Sequence, residues 1–315
     1  MMRRLIRSNP MLRPLRPWLM LAALAPWAPL AANAQAPAAP VALTGTLAKV
    51  HQKGEVALAY RQSSVPFSYL DAQGKPIGYS IELCKAVVHA MEATVHKPLT
   101  IRWVPVTSAT RMEAITSGQA DLECGSTTSN KERQQTVAFS PTFFVSGTKL
   151  LVKKGSPVRD YTGLAGKKVA VTAGTTNEKT MRDLSARFQL NLQILPMRDH
   201  AESFAQVTSG AADAFATDDV LLYGLVAQTP GGREQYAVVG DFLSYDPYGV
   251  MYRKGDAPMA QLVTETFQAL AADREIERQY NRWFLKKLPT GQTLGLPMSP
   301  QLKIILESLA ATQGE

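Results

Sequence analysis

The segment ECGSTTSNKERQ (123–134) sets two hydroxyl residues, Ser126 and Thr128, shortly before an arginine, Arg133. A hydroxyl donates to a carboxylate or accepts from an ammonium, and a guanidinium can fork onto both oxygens of a carboxylate. Together the three side chains make a cradle for a small carboxylate-bearing molecule. The plainer reading is a capping box, SNKE (129–132), that opens a short helix and leaves Arg133 on its solvated side. It accounts for Ser129 and leaves Ser126 and Thr128 without a role.

Other stretches offer matching chemistry. VAVTAGTTNEK (169–179) reads as a strand, a glycine turn and a helix start. Thr175 with Glu178 fits a capping box there, and the unpaired N–H groups of the helix start, with Thr176, can hold an anion. ATDDVLLYG (216–224) puts Asp218 at a helix start, as an N-cap or as the counter-charge to an ammonium. Arg61 follows the first strand; Phe67 and Tyr69 beyond it read as core, or as an apolar wall to a site. Ser108 and Arg111 fall in the first turn of one helix, Asp199 and His200 at the start of another. Arg61, Arg111, Arg133 and His200 thus outnumber Asp218. A zwitterionic amino acid needs one cation and one anion, so the surplus arginines imply a second carboxylate on the ligand.

These residues need a scaffold that brings them together. GEVALAY (54–60) and LTIRWV (99–104) read as strands, and SIELCKAVVHAM (80–91) has the apolar spacing of an amphipathic helix. SATRMEAITSG reads as a helix closed by Gly118. TSGQAD (116–121) recurs as TSGAAD (208–213), each after a strand, a proline and a helix. The same unit built twice predicts two α/β lobes of one plan, with mainly parallel sheets. Ligands of open α/β sheets sit beyond the carboxyl ends of strands. Ser126 and Asp218, five residues past the repeat aspartates Asp121 and Asp213, are then equivalent positions at the mouth between lobes.

The N-terminus stands apart from this pattern. Residues 1–34 carry five arginines and no acid, an apolar run WLMLAALAPWAPLA, and ANA at 32–34. That is the layout of a cleaved secretory signal peptide, with an uncleaved anchor as the alternative. Removing the five arginines lowers the formal charge from +8 to +3, so the basic excess is an export address and no nucleic-acid surface is implied. In an exported chain the two cysteines, Cys84 and Cys124, read as a disulfide, with two buried free thiols as the alternative; no histidine lies at metal-ligand spacing from them.

RQSSVPFSYLDAQGKPIGYSIELC, ECGSTTSNKERQ, VAVTAGTTNE, RDHAESF and TSGAADAFATDD together carry a resemblance over roughly residues 45–285. The chain resembles the periplasmic solute-binding proteins of polar amino-acid ABC transporters, in particular their glutamate/aspartate-binding branch. The resemblance implies an α/β fold of two lobes joined by hinge strands, near 143–151 and 246–254, with the ligand in the cleft. It implies that Ser126, Thr128 and Arg133, with Thr176 or its neighbour Thr175, hold the α-carboxylate. Asp218 would receive the α-ammonium, and Arg61, Arg111 and His200 the side-chain carboxylate, with Ser108 beside them. The expected division is a signal peptide (1–34), a discontinuous first lobe (41–147 with 248–288), a second lobe (148–247) and a C-terminal tail (289–315) that matches no binding motif.

The expectation is therefore a monomeric periplasmic binder of glutamate or aspartate that docks on a membrane permease, with no cofactor, metal or nucleic acid. A dehydratase-like enzyme on the same scaffold, a binder of a neutral amino acid such as glutamine, and a receptor's sensor domain are the competing readings. The sensor reading would need a second apolar span of about 20 residues, which the sequence lacks. If its cationic form contributes, His200 would make binding weaken as pH rises.

Overall fold

The computed structural model describes residues 43–312. The expected signal peptide and the expected cleavage near Ala34 lie outside them. Two five-stranded sheets organise the chain. In the first, Thr100–Pro105, Glu55–Tyr60 and Leu122–Glu123 run parallel, and Met251–Arg253 runs antiparallel between Leu122–Glu123 and Val137–Phe139. In the second, Gln193–Met197, Lys168–Thr172 and Ala214–Asp218 are parallel, and Thr148–Lys153 runs antiparallel between Ala214–Asp218 and Tyr236–Val239. The two sheets have one plan: two α/β lobes.

The sequence repeat explains the likeness. Gly118 and Gly210 take left-handed φ values of +77° and +81° that stop their helices, a conformation that suits glycine. The aspartate three residues on then performs the same task in each lobe. Asp121 Oδ2 accepts the N–H of Ala57 at 2.9 Å, and Asp213 Oδ2 accepts that of Lys168 at 2.9 Å. Each carboxylate thereby fastens the start of its strand to the neighbouring strand.

Several local expectations shift by a few residues. The helix expected over 80–91 is Tyr79–Val95, because Val95 continues its buried face. The helix after Pro105 begins only at Arg111; Thr107 and Thr110 exchange backbone and hydroxyl bonds in the turn before it, and Ser108 stands in that turn. The SNKE segment opens no α-helix. Asn130, rather than Ser129, caps the N–H of Arg133, and only a 3-10 turn, Arg133–Gln135, follows.

The lobes are joined where Phe144–Ser146 pairs antiparallel with Asp246–Tyr248. Aromatic side chains pack around this crossing. Phe67 meets Phe144 and Tyr248 edge-on at 4.8 and 5.1 Å, and Phe144 stacks on Phe284 at 5.1 Å. Phe67 and Tyr69 are fully buried in this core, so neither walls a site. Ser299 caps the helix Pro300–Ala311, which buries Leu302 and Leu306 in the first lobe's core. Just before it, the carbonyls of Thr293 and Leu294 accept from Arg233 of the second lobe at 2.6 and 3.2 Å.

Cys84 and Cys124 form a disulfide, Cα–Cα 6.1 Å, so the free-thiol alternative falls away. It ties the helix Tyr79–Val95 to the residue after Leu122–Glu123, just before the Ser126 loop. The bond closes a separation of 40 residues, for which chain entropy gives about 4 kcal/mol. Replacing both cysteines by alanine is expected to cost up to that amount in denaturant melts. A loss below about 1 kcal/mol would show that the closed loop is already constrained without it.

Candidate ligand-binding site

The carboxyl ends of the parallel strands in both sheets face one seam. The first lobe presents Ser108, Arg111, Ser126 and Thr128; the second presents Thr175, Thr176, Asn177, His200, Asp218 and Leu221. These residues line one small polar cavity of about 10 Å³. Of the ten residues expected at the site, eight line it. Arg61 and Arg133 do not.

The lobes meet tightly around the cavity. Thr128 Oγ1 and Thr176 Oγ1 are 3.3 Å apart across the seam. Arg133 spans it, donating from Nη1 to Thr128 O at 2.9 Å and from Nη2 to Gly174 O at 3.3 Å. Two glycines make the approach possible. A Cβ at Gly174 would lie 2.7 Å from Ala109 Cα, and one at Gly224 would lie 2.3 Å from Val65 O. Gly224 sits inside the helix Asp219–Gln228, where glycine costs about 1 kcal/mol relative to alanine. Its role there is contact between lobes.

The cations are buried. Arg61 is 1% exposed, and neither Nη1 nor Nη2 has a hydrogen-bond partner. Burial first, and then Arg111, push its pKa down to about 9, so it stays a cation at neutral pH. Arg111 donates from Nη1 to Thr127 Oγ1 at 2.7 Å, and its Nε is unpartnered. Thr127 Oγ1 passes its own proton to Glu123 Oε2 at 2.6 Å. Glu123, fully buried, is the acid that faces these arginines; its Oε1 also lacks a partner. The Ser108 and Ser126 hydroxyls are buried and unpartnered as well. Each such group costs about 1–3 kcal/mol unless something bonds to it.

Asp218 is at the N-cap position but caps nothing. Asn177 Nδ2 donates to its Oδ1 at 2.9 Å and Tyr248 Oη to its Oδ2. Burial, followed by the nearby Asp246, pushes its pKa up to about 7. This carboxylate is arranged to gain from a cation. Thr175, by contrast, is a true N-cap, accepting from Glu178 N at 3.1 Å, while Glu178 reaches back to Gly174 N.

His200 differs from expectation. Its Nδ1 is 2.8 Å from Thr172 Oγ1, which is 2.9 Å from Ser203 Oγ, which donates to Asp199 O. A hydroxyl has one proton, so all three bonds form only if Nδ1 carries hydrogen and Nε2 is the acceptor. Burial, then Arg61 and Arg111, hold the ring well below the usual histidine range. The cationic form expected to weaken binding as pH rises is therefore not the resting form.

Glu123, Thr127, Asn177, Tyr248 and Asp246 were not among the expected site residues. Glu123 stood in the quoted ECGSTT segment and Asp246 in the expected hinge, but an acid inside a short apolar strand points to a buried counter-charge only once its arginines are known. Among the described residues no cluster of three or more histidine, cysteine or acidic side chains is placed to hold a metal, and no helix is long and apolar enough to cross a membrane.

Two α/β lobes hinged at paired strands and closed on a polar cavity define a binding protein of the two-lobed periplasmic type. The chain belongs to the bacterial extracellular solute-binding proteins, family 3, whose family model matches residues 56–286. It is 41% identical over 276 residues to the L-glutamate/L-aspartate-binding protein of Pseudomonas aeruginosa, covering 87% of this chain and 91% of that protein. It is 38% identical over 275 residues to the glutamate/aspartate import solute-binding protein of Escherichia coli, with 87% and 91% covered. In fold it is similar to a mutant of ArgBP from T. maritima, with a TM-score of 0.69 at 21% identity over 77% of this chain and all of that one.

The acidic group in the seam gives a pH test. Asp218 holds its proton in the folded protein up to about pH 7 and in the unfolded chain only to about 4. The folded state therefore loses stability through this group as pH rises across that window. His200, with its folded pKa lowered, contributes the opposite slope below about 6.5. The informative quantity is the difference between proteins: Asp218→Asn is expected to gain stability over wild type progressively from pH 4 to 7, read from denaturant melts. A difference that does not vary with pH would place the Asp218 pKa near its ordinary value.

Proposed function

We propose that the protein is an exported, non-enzymatic binder of an acidic L-amino acid, glutamate or aspartate, which it delivers to a membrane ABC permease. The observation that carries this reading is Arg61: a buried guanidinium with two unpartnered nitrogens, beside Arg111, which lines the polar cavity between the lobes. A side-chain carboxylate supplies the acceptors they lack. An amide would set donors against donors, which disfavours glutamine as the preferred ligand. The curated relatives from P. aeruginosa and E. coli are named for glutamate and aspartate, and both are named as binding proteins, which favours a binder over a dehydratase.

In this reading Asp218 takes the α-ammonium. Arg133, with Ser126, Thr175 and backbone N–H groups at the start of the helix Thr176–Arg187, frames the α-carboxylate. Arg61 and Arg111, with Ser108, face the side-chain carboxylate; His200 lies beside them, and its neutral ring, with Nε2 as acceptor, gives that carboxylate no donor. The lobes divide at the paired strands, 41–147 with 248–288 forming the first and 148–247 the second, with 289–315 as the tail. The mature protein starts after cleavage near Ala34 and works in the periplasm as a monomer.

Calorimetric titration of purified, refolded protein against glutamate, aspartate, glutamine and asparagine tests the assignment. Glutamate and aspartate are expected to bind at about micromolar Kd or tighter. The amides should be weaker by at least about a hundredfold and up to about 10⁴-fold. Arg133→Ala should lose about 2–5 kcal/mol for every amino acid, since all share the α-carboxylate. Equal affinity for glutamine and glutamate would remove the acidic-ligand assignment; near-normal binding by Arg133→Ala would remove the cradle.

A further inference from the structure

Asp246 is a buried acid on the hinge strand Asp246–Tyr248, and it is bonded to both lobes at once. Its Oδ1 accepts from Thr128 Oγ1 of the first lobe at 2.9 Å and from Thr176 Oγ1 of the second at 2.8 Å. Its Oδ2 accepts from Ser244 Oγ. Because Ser244 spends its proton on Asp246, it must be the acceptor in its 2.7 Å contact with Thr148 Oγ1, and it also receives the Thr148 N–H. Thr148 Oγ1 in turn accepts from Asn177 Nδ2 at 2.7 Å, and the same amide donates to Asp218 Oδ1. The chain ends on a carboxylate at each side, Asp246 at one end and Asp218 at the other.

That direction fixes the polarity of the cavity wall. A threonine hydroxyl that gives its only proton to Asp246 has lone pairs, and no donor, left for the cavity that Thr128 and Thr176 line. Such oxygens repel a carboxylate and attract an N–H. We infer that Asp246 is the positioning residue that makes the closed cleft demand an α-ammonium, by turning the Thr128 and Thr176 hydroxyls into acceptors beside Asp218. The α-carboxylate is then left to Arg133 and to backbone N–H groups at the start of the helix Thr176–Arg187, rather than to these two hydroxyls. Because Asp246 reaches Thr128 and Thr176 together only when the lobes meet, reading the amino group and closing the cleft become one event. The inference rests on the proposed amino-acid ligand and deepens it.

The test uses two pairs of ligands that differ only in the amino group: glutamate with glutarate, and aspartate with succinate. Affinities are measured by calorimetry for the wild type, Asp246→Ala, Thr176→Val and Thr176→Ser, with ligand-free melting curves to confirm folding. The wild type is expected to prefer each amino acid over its deamino partner. In Asp246→Ala and Thr176→Val that preference should shrink by about tenfold or more, roughly one hydrogen bond to a charged group. Thr176→Ser, which keeps the hydroxyl, should stay within about threefold of wild type. A purely structural role for Asp246 would weaken both members of a pair equally, and that outcome, or an unchanged preference, overturns the inference. If Asp246→Ala fails to fold, Thr176→Val decides alone. If the wild type binds neither glutamate nor aspartate, the proposed function itself falls and takes this inference with it, whereas tight amino-acid binding with no shift in preference rejects only the role of Asp246.

Discussion

A cation shut away from water with no acceptor within reach is among the least comfortable groups a protein can contain, and Arg61 is one. Its backbone is fixed, since its N–H donates to Ser68 Oγ at 2.9 Å and its carbonyl accepts from the same hydroxyl. Arg111 beside its guanidinium adds a second positive charge in the same dry space. Glu123 offsets part of this charge through its own position and through Thr127. What remains is a cleft whose closed form is electrostatically incomplete. Opening the lobes admits water; an anionic group allows them to stay shut. The hinge, the glycines at the seam and the acids on the second lobe all take their meaning from that choice.

The fold resolves this problem by repetition. Two copies of one strand–helix–strand unit put the same kinds of places, turns after parallel strands and starts of helices, on both sides of a seam. The copies then diverge in chemistry. The position five residues past the repeat aspartate is Ser126 in one lobe and Asp218 in the other. The first lobe thus brings Arg61 and Arg111 to the seam, partly offset by Glu123, and the second brings Asp218. Asp246, on a strand that passes between the lobes, touches both lobes.

Much of this was legible in the sequence because it is written in local signals. The repeat TSGQAD/TSGAAD gave the doubled plan, since a glycine stop and a strand-fastening aspartate are short-range devices. Asp218, Arg111 and His200 were placed by the rule that strand ends and helix starts collect ligand contacts. Three things were not legible, and each depends on contacts between distant parts of the chain. Glu123 and Asp246 are acids in short strands, and only the fold shows which arginines and hydroxyls surround them. The resting charge of His200 follows from its burial and then from two arginines in the other lobe. The cap of the Arg133 turn moved from Ser129 to Asn130 because Ser129 is occupied elsewhere: its N–H bonds Pro247 O and its hydroxyl receives Gln134.

The C-terminal tail changes how such a molecule can move. Its helix is packed into the first lobe through Leu302 and Leu306, yet the segment leading into it is held by Arg233 on the second. A hinge of two strands would by itself let the lobes swing with little resistance. Here a third connection lies across the gap, outside the paired strands and remote from the cavity. Swinging apart must either strip the Arg233 guanidinium from two carbonyls or stretch the loop between Leu288 and Ser299. The tail thus adds to the closed arrangement a contact between the lobes that lies outside the paired strands and does not involve the residues lining the cavity.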